Sequence, residues 1–227
     1  MIREVAETGS TNEDLAALAR SGAAEGLWLR ADRQTGGKGR QGRTWVSPPG
    51  NLYASTLVRL RPGDPPAPTL ALVAAVALHE AVAPHAPGVQ IKWPNDLLAD
   101  GAKLAGILLE REEERVVAGF GLNLAHHPHE LDRPTTSLAA AGGTAPEPAA
   151  ILEVLADAFA RWLARWRVAG VDPLRAAWLE RAHPIGTALS THLGEGLFDG
   201  LDAHGGLRLR VAEGGVRLIH AGDVFLL

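Results

Sequence analysis

A segment rich in glycine and basic residues, residues 36–45, constrains this chain more than any other stretch. It holds four glycines, three cationic side chains and a tryptophan within ten residues, a composition that no packed core accommodates. Glycines let a backbone approach a ligand closely and turn its N–H groups inward. Guanidinium groups suit phosphate and carboxylate oxygens. The segment predicts a loop that binds an anion attached to an aromatic ring, such as a nucleotide; a solvated, flexible basic loop is the alternative.

Two familiar phosphate-binding motifs do not fit this segment. Residues 37–42 have the glycine spacing of the dinucleotide fingerprint, but a Pro-Pro-Gly sequence at 48–50 follows where a helix should begin. A Walker A loop is excluded because Asp32 stands at its first glycine, and because Gly39 follows Lys38 where Ser or Thr is required. The segment therefore predicts a different kind of anion-binding loop.

Composition narrows the class of protein. With 227 residues and 46% hydrophobic residues, the chain can form one sizeable core, or one core and a small second domain. No apolar run approaches the roughly 18 residues of a membrane span, and Glu4 and Glu7 interrupt any leader-like start. The absence of cysteine excludes disulfides and thiolate chemistry. We expect a cytoplasmic protein, and the net charge of −4 argues against bulk nucleic-acid binding.

Lysine is confined to three positions in a chain whose 22 basic residues are otherwise arginine. Each lysine stands in an unusual local sequence: Gly-Lys-Gly around Lys38, Lys-Trp-Pro-Asn-Asp from Lys92, and Lys-Leu-Ala-Gly from Lys103. A lysine is a compact point charge and an arginine a planar fork, so the two do different chemistry. The three lysines are therefore candidate site residues.

Periodicity and turn residues predict a mixed α and β chain. A Ser10–Glu13 capping box predicts a helix to about residue 20, and the pattern predicts three further helices. The ranges are 70–83, 151–168 and 173–181 for these helices, and 27–31, 51–60, 89–92, 103–109 and 115–122 for strands. After residue 184, short strands alternate with glycine pairs and predict a small antiparallel barrel. The histidines at 126–129 could form a metal cluster, but a solvated loop is favoured.

Several of these motifs together resemble the biotin protein ligases. The loop at 36–45 is similar to that family's glycine–arginine loop, and residues 92–96 match its Lys-Trp-Pro-Asn-Asp motif. Further matches are the strand at 103–108, Gly-x-Gly-x-Asn at 119–123, Thr-Ser-Leu at 136–138, Ser-Thr-Asn at 10–12, and Gln34. The resemblance covers essentially the whole chain. It departs at Lys38, where the family usually has Arg, which keeps the charge and loses a fork.

The resemblance implies an α+β fold with two domains. Residues 1–184 would form a catalytic domain with a mixed β-sheet flanked by helices, like that of class II aminoacyl-tRNA synthetases. Residues 185–227 would form an SH3-like barrel. It implies a monofunctional enzyme without the family's N-terminal DNA-binding domain. Biotin, ATP and Mg²⁺ would give biotinyl-5′-AMP, and a lysine of a biotin carboxyl carrier protein would then take the biotin. No nucleic acid or membrane partner is expected, and a homodimer is left open. A lipoate–protein ligase and a non-catalytic biotinyl-AMP-binding module are the alternatives.

The resemblance also assigns site residues. The expected catalytic residues are Lys103, Arg40 and Asp96. The expected biotin-binding residues are Ser10, Thr11, Asn12, Gln34, Gly37, Lys38, Lys103, Gly106 and Gly121. The expected nucleotide-binding residues are Arg40, Arg43, Trp45, Lys92, Asn95 and Asn123. Asp96 would orient or deprotonate the acceptor lysine, or would be a simple turn residue. No metal is expected to be fixed by the protein alone.

Overall fold

The structure is a computed structural model, and it describes residues 1–128, 133–142, 145–212 and 214–227. Four α-helices are present: α1 (Thr11–Arg20), α2 (Leu70–Val82), α3 (Pro148–Ala169) and α4 (Asp172–Arg181). The first seven strands are β1 (Ile2–Thr8), β2 (Trp28–Gln34), β3 (Leu52–Arg59), β4 (Gln90–Lys92), β5 (Asp96–Ala99), β6 (Ala102–Glu112) and β7 (Arg115–Leu122). The last five are β8 (Ala188–Thr191), β9 (Gly194–Leu201), β10 (Leu207–Arg210), β11 (Val216–Ile219) and β12 (Val224–Leu226).

The first seven strands form one mixed sheet in the order β1-β2-β3-β7-β6-β5-β4. Only the β1–β2 pair is parallel. Strand β1 was not predicted, because it is an exposed edge strand without the apolar alternation that marks a half-buried strand. Ion pairs from Glu4 to Arg30 and from Glu7 to Arg33 connect it to β2 instead.

One face of this sheet is covered by α2, α3 and α4. Helix α2 is buried on nearly all sides because it lies between the sheet and α3. Phe159 of α3 packs on Trp28 and Phe120 of the sheet, and the three ring centroids lie 5.5–6.0 Å apart. Strand β3 is buried on both faces, and its polar residues Ser55 and Thr56 are buried with it. The predicted helices and their burial are confirmed on this side.

The opposite face is covered by α1 at one end only. Leu57 and Val117 pair across β3 and β7 and pack beneath α1. Further along the same face, β7 presents Gly119 and Gly121, and Gly106 of β6 pairs with Gly121. Side chains therefore shrink from large to absent along this face, and a cavity opens where the glycines begin.

Helix α1 begins where it was predicted, but not with a capping box. Ser10 is the N-cap and has an extended backbone, yet its side chain makes no capping hydrogen bond. Glu13 forms an ion pair with Lys38 rather than returning to the Ser10 N–H. The capping-box prediction is wrong because a partner distant in sequence takes the Glu13 carboxylate.

The last five strands form an antiparallel sheet in the order β11-β10-β9-β8-β12, which is consistent with the expected SH3-like barrel. It packs on the larger domain through Trp178 and Phe198, and the Trp93 indole N–H donates to the Gly205 carbonyl at 3.0 Å. The division at 184/185 stays a prediction. Within the described ranges, no helix is both long and apolar enough to cross a membrane.

Candidate active site

A cavity of about 650 Å³ lies over the glycine end of the larger sheet. The loop at 36–45 forms one wall, and residues 223–225 of the C-terminal domain close another side. Its charged lining is strongly cationic, with six basic side chains and two carboxylates. The basic residues are Lys38, Arg40, Arg43, Lys92, Lys103 and Arg133, and the carboxylates are Asp96 and Asp223. Such a cavity favours anionic ligands.

The glycines of the cavity floor are required by what lies on them. The Trp45 indole covers Gly106 and Gly121, and a Cβ at Gly121 would stand 2.5 Å from the indole ring. A Cβ at Gly119 would overlap the amide group of Asn12. Trp45 was expected to stack on adenine, but here it borders two glycines assigned to biotin. Adenine stacking by Trp45 stays a prediction.

Asp96 is the centre of a compact cluster of charges. Its carboxylate accepts an ion pair from the Lys103 ammonium at 2.6 Å, while Lys92 and Arg133 lie 4.0 and 3.8 Å from its other oxygen. Asp96 is 4% exposed and is the first residue of β5, so the interpretation as a simple turn residue is wrong. One carboxylate shared by three cations leaves an excess of positive charge.

Burial lowers the pKa of two of the three cavity lysines, Lys92 and Lys103. For Lys103 and for Lys92, loss of water around the ammonium is the largest cause, and the charge of Asp96 opposes it. Lys103 also stands 5.4 Å from the centre of the Trp45 ring. Poorly hydrated ammonium groups interact strongly with an anion that enters the cavity.

Asp223 anchors the glycine-rich loop to the C-terminal domain. It forms ion pairs with Arg43 and, at 3.8 Å, with Arg40. Burial alone would raise the pKa of Asp223, but the hydrogen bond and charge of Arg43 and the charge of Arg40 outweigh it and lower that pKa. Arg40 also donates to the Asn95 side chain at 3.3 Å and to the Gly222 carbonyl at 3.2 Å.

A chain of hydrogen bonds fixes the polar wall beneath the start of α1. The Thr11 N–H donates to the Gln34 side-chain oxygen at 2.9 Å. The Thr11 hydroxyl lies 3.1 Å from that oxygen and 2.7 Å from the Ser55 hydroxyl, and its single proton is donated to one of the two. The Ser55 hydroxyl donates to the Asn12 side-chain oxygen at 2.6 Å. Because each member is held by the next, this wall is rigid before a ligand arrives.

The structure brings most of the predicted site residues to this one cavity. Those that line it are Thr11, Asn12, Gln34, Lys38, Arg40, Arg43, Trp45, Lys92, Asn95, Asp96, Lys103, Gly106, Gly121 and Asn123. Ser10 and Gly37 are buried beside the cavity and do not line it. The Asn123 amide donates to the Thr136 carbonyl at 2.9 Å, which ties the strand end to the Thr-Ser-Leu segment.

Comparison with known proteins identifies the family to which the chain is similar. Residues 7–124 match the model of the biotin/lipoate A/B protein ligase family. A biotin–[acetyl-CoA-carboxylase] ligase of Paracoccus denitrificans is 38% identical over 97% of this chain and 98% of its own length. Another, from Mycobacterium tuberculosis, is 39% identical over 97% of this chain and 86% of its own.

This chain belongs to the biotin/lipoate A/B protein ligase family. Solved structures agree with that assignment. Biotin protein ligase from Aquifex aeolicus, in complex with biotin and ATP, has a TM-score of 0.88 and 26% identity, covering 100% of this chain and 99% of that one. The enzyme from Leishmania major, in complex with biotinyl-5-AMP, has a TM-score of 0.70 and 25% identity, covering 97% and 98%. The predicted family and fold class are confirmed.

Several residues that line the cavity were not predicted from the motifs, and Arg133, Asp223 and Phe225 are among them. Arg133 lies three positions before Thr136, so closeness to the Thr-Ser-Leu motif was the one signal that could have revealed it. Asp223 and Phe225 belong to the C-terminal domain, and no local pattern connects them to a loop some 180 positions earlier in the chain.

The histidine segment at 126–129 is described only in part. His127 contacts the Ser137 hydroxyl at 3.2 Å, and His129 lies outside the described residues. Among the described residues there is no group of three or more His, Asp or Glu side chains that could hold a metal ion.

Proposed function

We propose that this protein is a biotin–[biotin carboxyl carrier protein] ligase that activates biotin with ATP. The observation that carries the proposal is the cation-rich cavity around Lys103, in a chain whose relatives are biotin ligases over nearly its full length. The products of the first step are biotinyl-5′-AMP and pyrophosphate. In the second step, a carrier lysine receives the biotin and AMP is released.

The cavity suits the first step because that step brings two anions together. A carboxylate oxygen of biotin attacks the α-phosphorus of ATP, and the bond to pyrophosphate breaks. We assign Lys103 to the junction of the two groups and Arg40 and Arg43 to the phosphates, where they offset the charge that develops. Thr11 and Gln34 belong to the rigid polar wall, which offers donors and acceptors to the ureido ring of biotin.

The second step needs a neutral amine, since an acceptor lysine with a pKa of about 10.4 is mostly protonated at neutral pH. We assign Asp96 two successive tasks. It first holds Lys103 at 2.6 Å, which orients that ammonium. Once Lys103 turns towards the acyl phosphate, an oxygen of Asp96 is free to accept a proton from the incoming amine. The amine nitrogen then attacks the acyl carbon, and AMP leaves.

We further propose that Mg²⁺ arrives with ATP, whose phosphate oxygens are ligands it favours. The two carboxylates of the cavity are engaged with lysine and arginine, so they form no cage for the ion. Residues 1–184 would form the catalytic domain and 185–227 the SH3-like domain, which completes the cavity. A cytoplasmic location, where ATP and carrier proteins meet, completes the proposal.

The test is ATP–pyrophosphate exchange with biotin or lipoate, followed by transfer to a purified biotin carboxyl carrier domain. We expect exchange that depends on biotin, and a carrier lysine that gains biotin. Exchange with lipoate alone would assign the protein to lipoate ligation. Tight binding of biotinyl-5′-AMP without exchange would make it a binding module.

A further inference from the structure

We propose that Arg133 binds the phosphates of ATP, as a contact additional to Lys103 and the loop arginines. The proposal rests on the function proposed above, and it assigns a role to a residue outside every motif of the sequence. It comes from three features of the structure: where the backbone of Arg133 is anchored, how poorly its guanidinium is satisfied, and which charges stand next to it.

The backbone beside Arg133 is fixed to the strand that carries Lys103. The Lys103 N–H donates to the Pro134 carbonyl at 2.9 Å, and the Thr136 N–H donates to the Lys103 carbonyl at 2.9 Å. Lys103 and Thr135 thereby form a parallel bridge. Arg133 starts from the edge of this bridge, so its side chain reaches the cavity from a position that is set relative to Lys103.

The guanidinium of Arg133 has N–H donors without a close acceptor among the described residues. Its one ion pair within the described residues is to Asp96 at 3.8 Å, which is too long for a hydrogen bond. That carboxylate is already bound by Lys103 at 2.6 Å. Arg40 and Arg43, in contrast, hold the Asn95, Gly222 and Asp223 groups described above. Arg133 is therefore the cavity arginine whose fork lacks a close partner among the described residues, although its side chain is only 30% exposed.

The charges around Arg133 favour phosphate over the biotin carboxylate. Lys103 holds one oxygen of Asp96, while Arg133 and Lys92 approach the other. Two cations besides Lys103, namely Arg133 and Lys92, therefore stand at this carboxylate. A single carboxylate from biotin is matched by Lys103 alone, whereas the triphosphate of ATP carries several charges. A planar fork binds phosphate oxygens in pairs, which a lysine cannot do.

The experiment compares Arg133→Gln, Arg133→Lys and wild type in biotin-dependent pyrophosphate exchange and in direct ATP binding at saturating biotin. A lost charged hydrogen bond predicts a rise of about 10- to 100-fold in the KM and Kd for ATP in Arg133→Gln. The KM for biotin should change less than about threefold, and Arg133→Lys should recover part of the loss because it keeps the charge.

Arg175→Gln is the matched control. Arg175 has a similarly buried side chain, 32% exposed, and pairs with Asp172 at 3.2 Å on α4, away from the cavity. It should leave both KM values unchanged. An unchanged ATP affinity in folded Arg133→Gln would overturn the proposal, and so would equal rises for ATP and biotin, which would indicate that Arg133 only positions Asp96 and Lys103.

A cycle with Asp96→Asn separates direct contact from an effect through Asp96. A direct phosphate contact predicts that Arg133→Gln still weakens ATP binding in the Asp96→Asn background. Loss of the effect there would overturn the proposal. Failure of the wild type to exchange pyrophosphate with biotin would instead refute the proposed function, and ATP binding would still report on Arg133.

Discussion

At the scale of single residues, Lys103 is the centre of the proposed chemistry. Its contact strengthens as charge builds on the phosphate, so it acts on the transition state more than on biotin binding. We expect Lys103→Gln to slow pyrophosphate exchange by about 10²–10³ while the protein stays folded. Lys103→Arg should restore little, because the fork is larger and its charge more spread.

The control for this prediction is thermal unfolding, since Lys103 also neutralises a buried carboxylate. A folded Lys103→Gln protein with nearly normal exchange would show that the ammonium does not stand at the reacting atoms.

Gly121 offers a second test at this scale, because it is needed for space and not for backbone conformation. An added methyl group in Gly121→Ala would overlap the Trp45 indole and push it into the cavity. We expect the KM for biotin to rise at least about tenfold, as for a lost well-packed contact of a few kcal/mol. Gly215→Ala is the control, since the nearest atom to an added Cβ there is 4.0 Å away. Equal biotin KM values in both variants would contradict this account of the floor.

Residue identities and local motifs predicted many of the residues in the site, but not the partner with which each side chain pairs. Lys92, Asp96 and Lys103 stood out by their local sequences, and all three meet in the cavity. The sequence did not reveal that Asp96 binds Lys103, or that Glu13 binds Lys38. Such pairs depend on the register between strands and on the path of a loop, which short motifs do not contain.

At the scale of elements, the glycine-rich loop has few internal bonds. Within residues 36–45, backbone N–H groups of Gly39, Arg43 and Trp45 donate to Arg43, Arg40 and Gly37. The loop is held to the rest of the chain by a Gly36 bond to Gly9, by the Lys38–Glu13 ion pair, and by Arg40 and Arg43. Ordering each residue costs about 1–2 kcal/mol. We expect amides 36–44 to exchange quickly in the free protein and slowly with biotin and ATP. Equal protection in both states would rule out ordering by ligand.

A substitution of Arg40 tests whether the closed loop retains the adenylate. Its contacts to Asn95 and Gly222 span both domains over the cavity. We expect Arg40→Gly to release biotinyl-5′-AMP faster, by about 10-fold or more for the loss of a charged contact, and to let the activated acid react with unintended amines. Dissociation of the adenylate and labelling of an unrelated protein measure this. Wild-type values for both would contradict a retaining role.

Strong hydrophobic periodicity predicted the long helices and strands, whereas an edge strand with little periodicity was not predicted. Helices α2 and α3 and strand β7 were predicted within a few residues. Burial imposes a nearly continuous apolar run on α2 and β7, and an amphipathic repeat on α3. Strand β1 was missed, because charged pairs with β2 stabilise it and little of it is buried. Ion pairs between strands leave no periodic pattern in one strand alone.

At the scale of the whole molecule, His183 at the domain junction predicts a dependence of stability on pH. It is 3% exposed, packs on Phe198 at 5.3 Å, and its ring nitrogens have no partner in the described part of the chain. Burial, with a smaller effect of Lys92, lowers the pKa of His183 to about 4. The unfolded chain, with a pKa near 6.5, therefore binds the proton more readily.

The direction of the pH dependence of stability follows from this difference between the folded and unfolded pKa values of His183. The contribution of His183 is fully present above about pH 6.5 and is lost as pH falls towards 4, with a maximum of about 3 kcal/mol. We expect denaturant unfolding of His183→Leu to depend less on pH than wild type across this range. His204→Leu, at an exposed histidine, should keep the wild-type slope. Parallel curves for wild type and His183→Leu would refute this role of the junction.

The position of Trp45 offers a way to follow ligand binding in the unlabelled protein. Of the six tryptophans, all within the described ranges, Trp45 is the one that lines the cavity. Its indole lies against Lys103, and its ring N–H has no hydrogen-bond partner among the described residues. The intrinsic fluorescence of the unlabelled protein should therefore report ligand arrival optically, and a Trp45→Phe variant supplies the background signal to subtract.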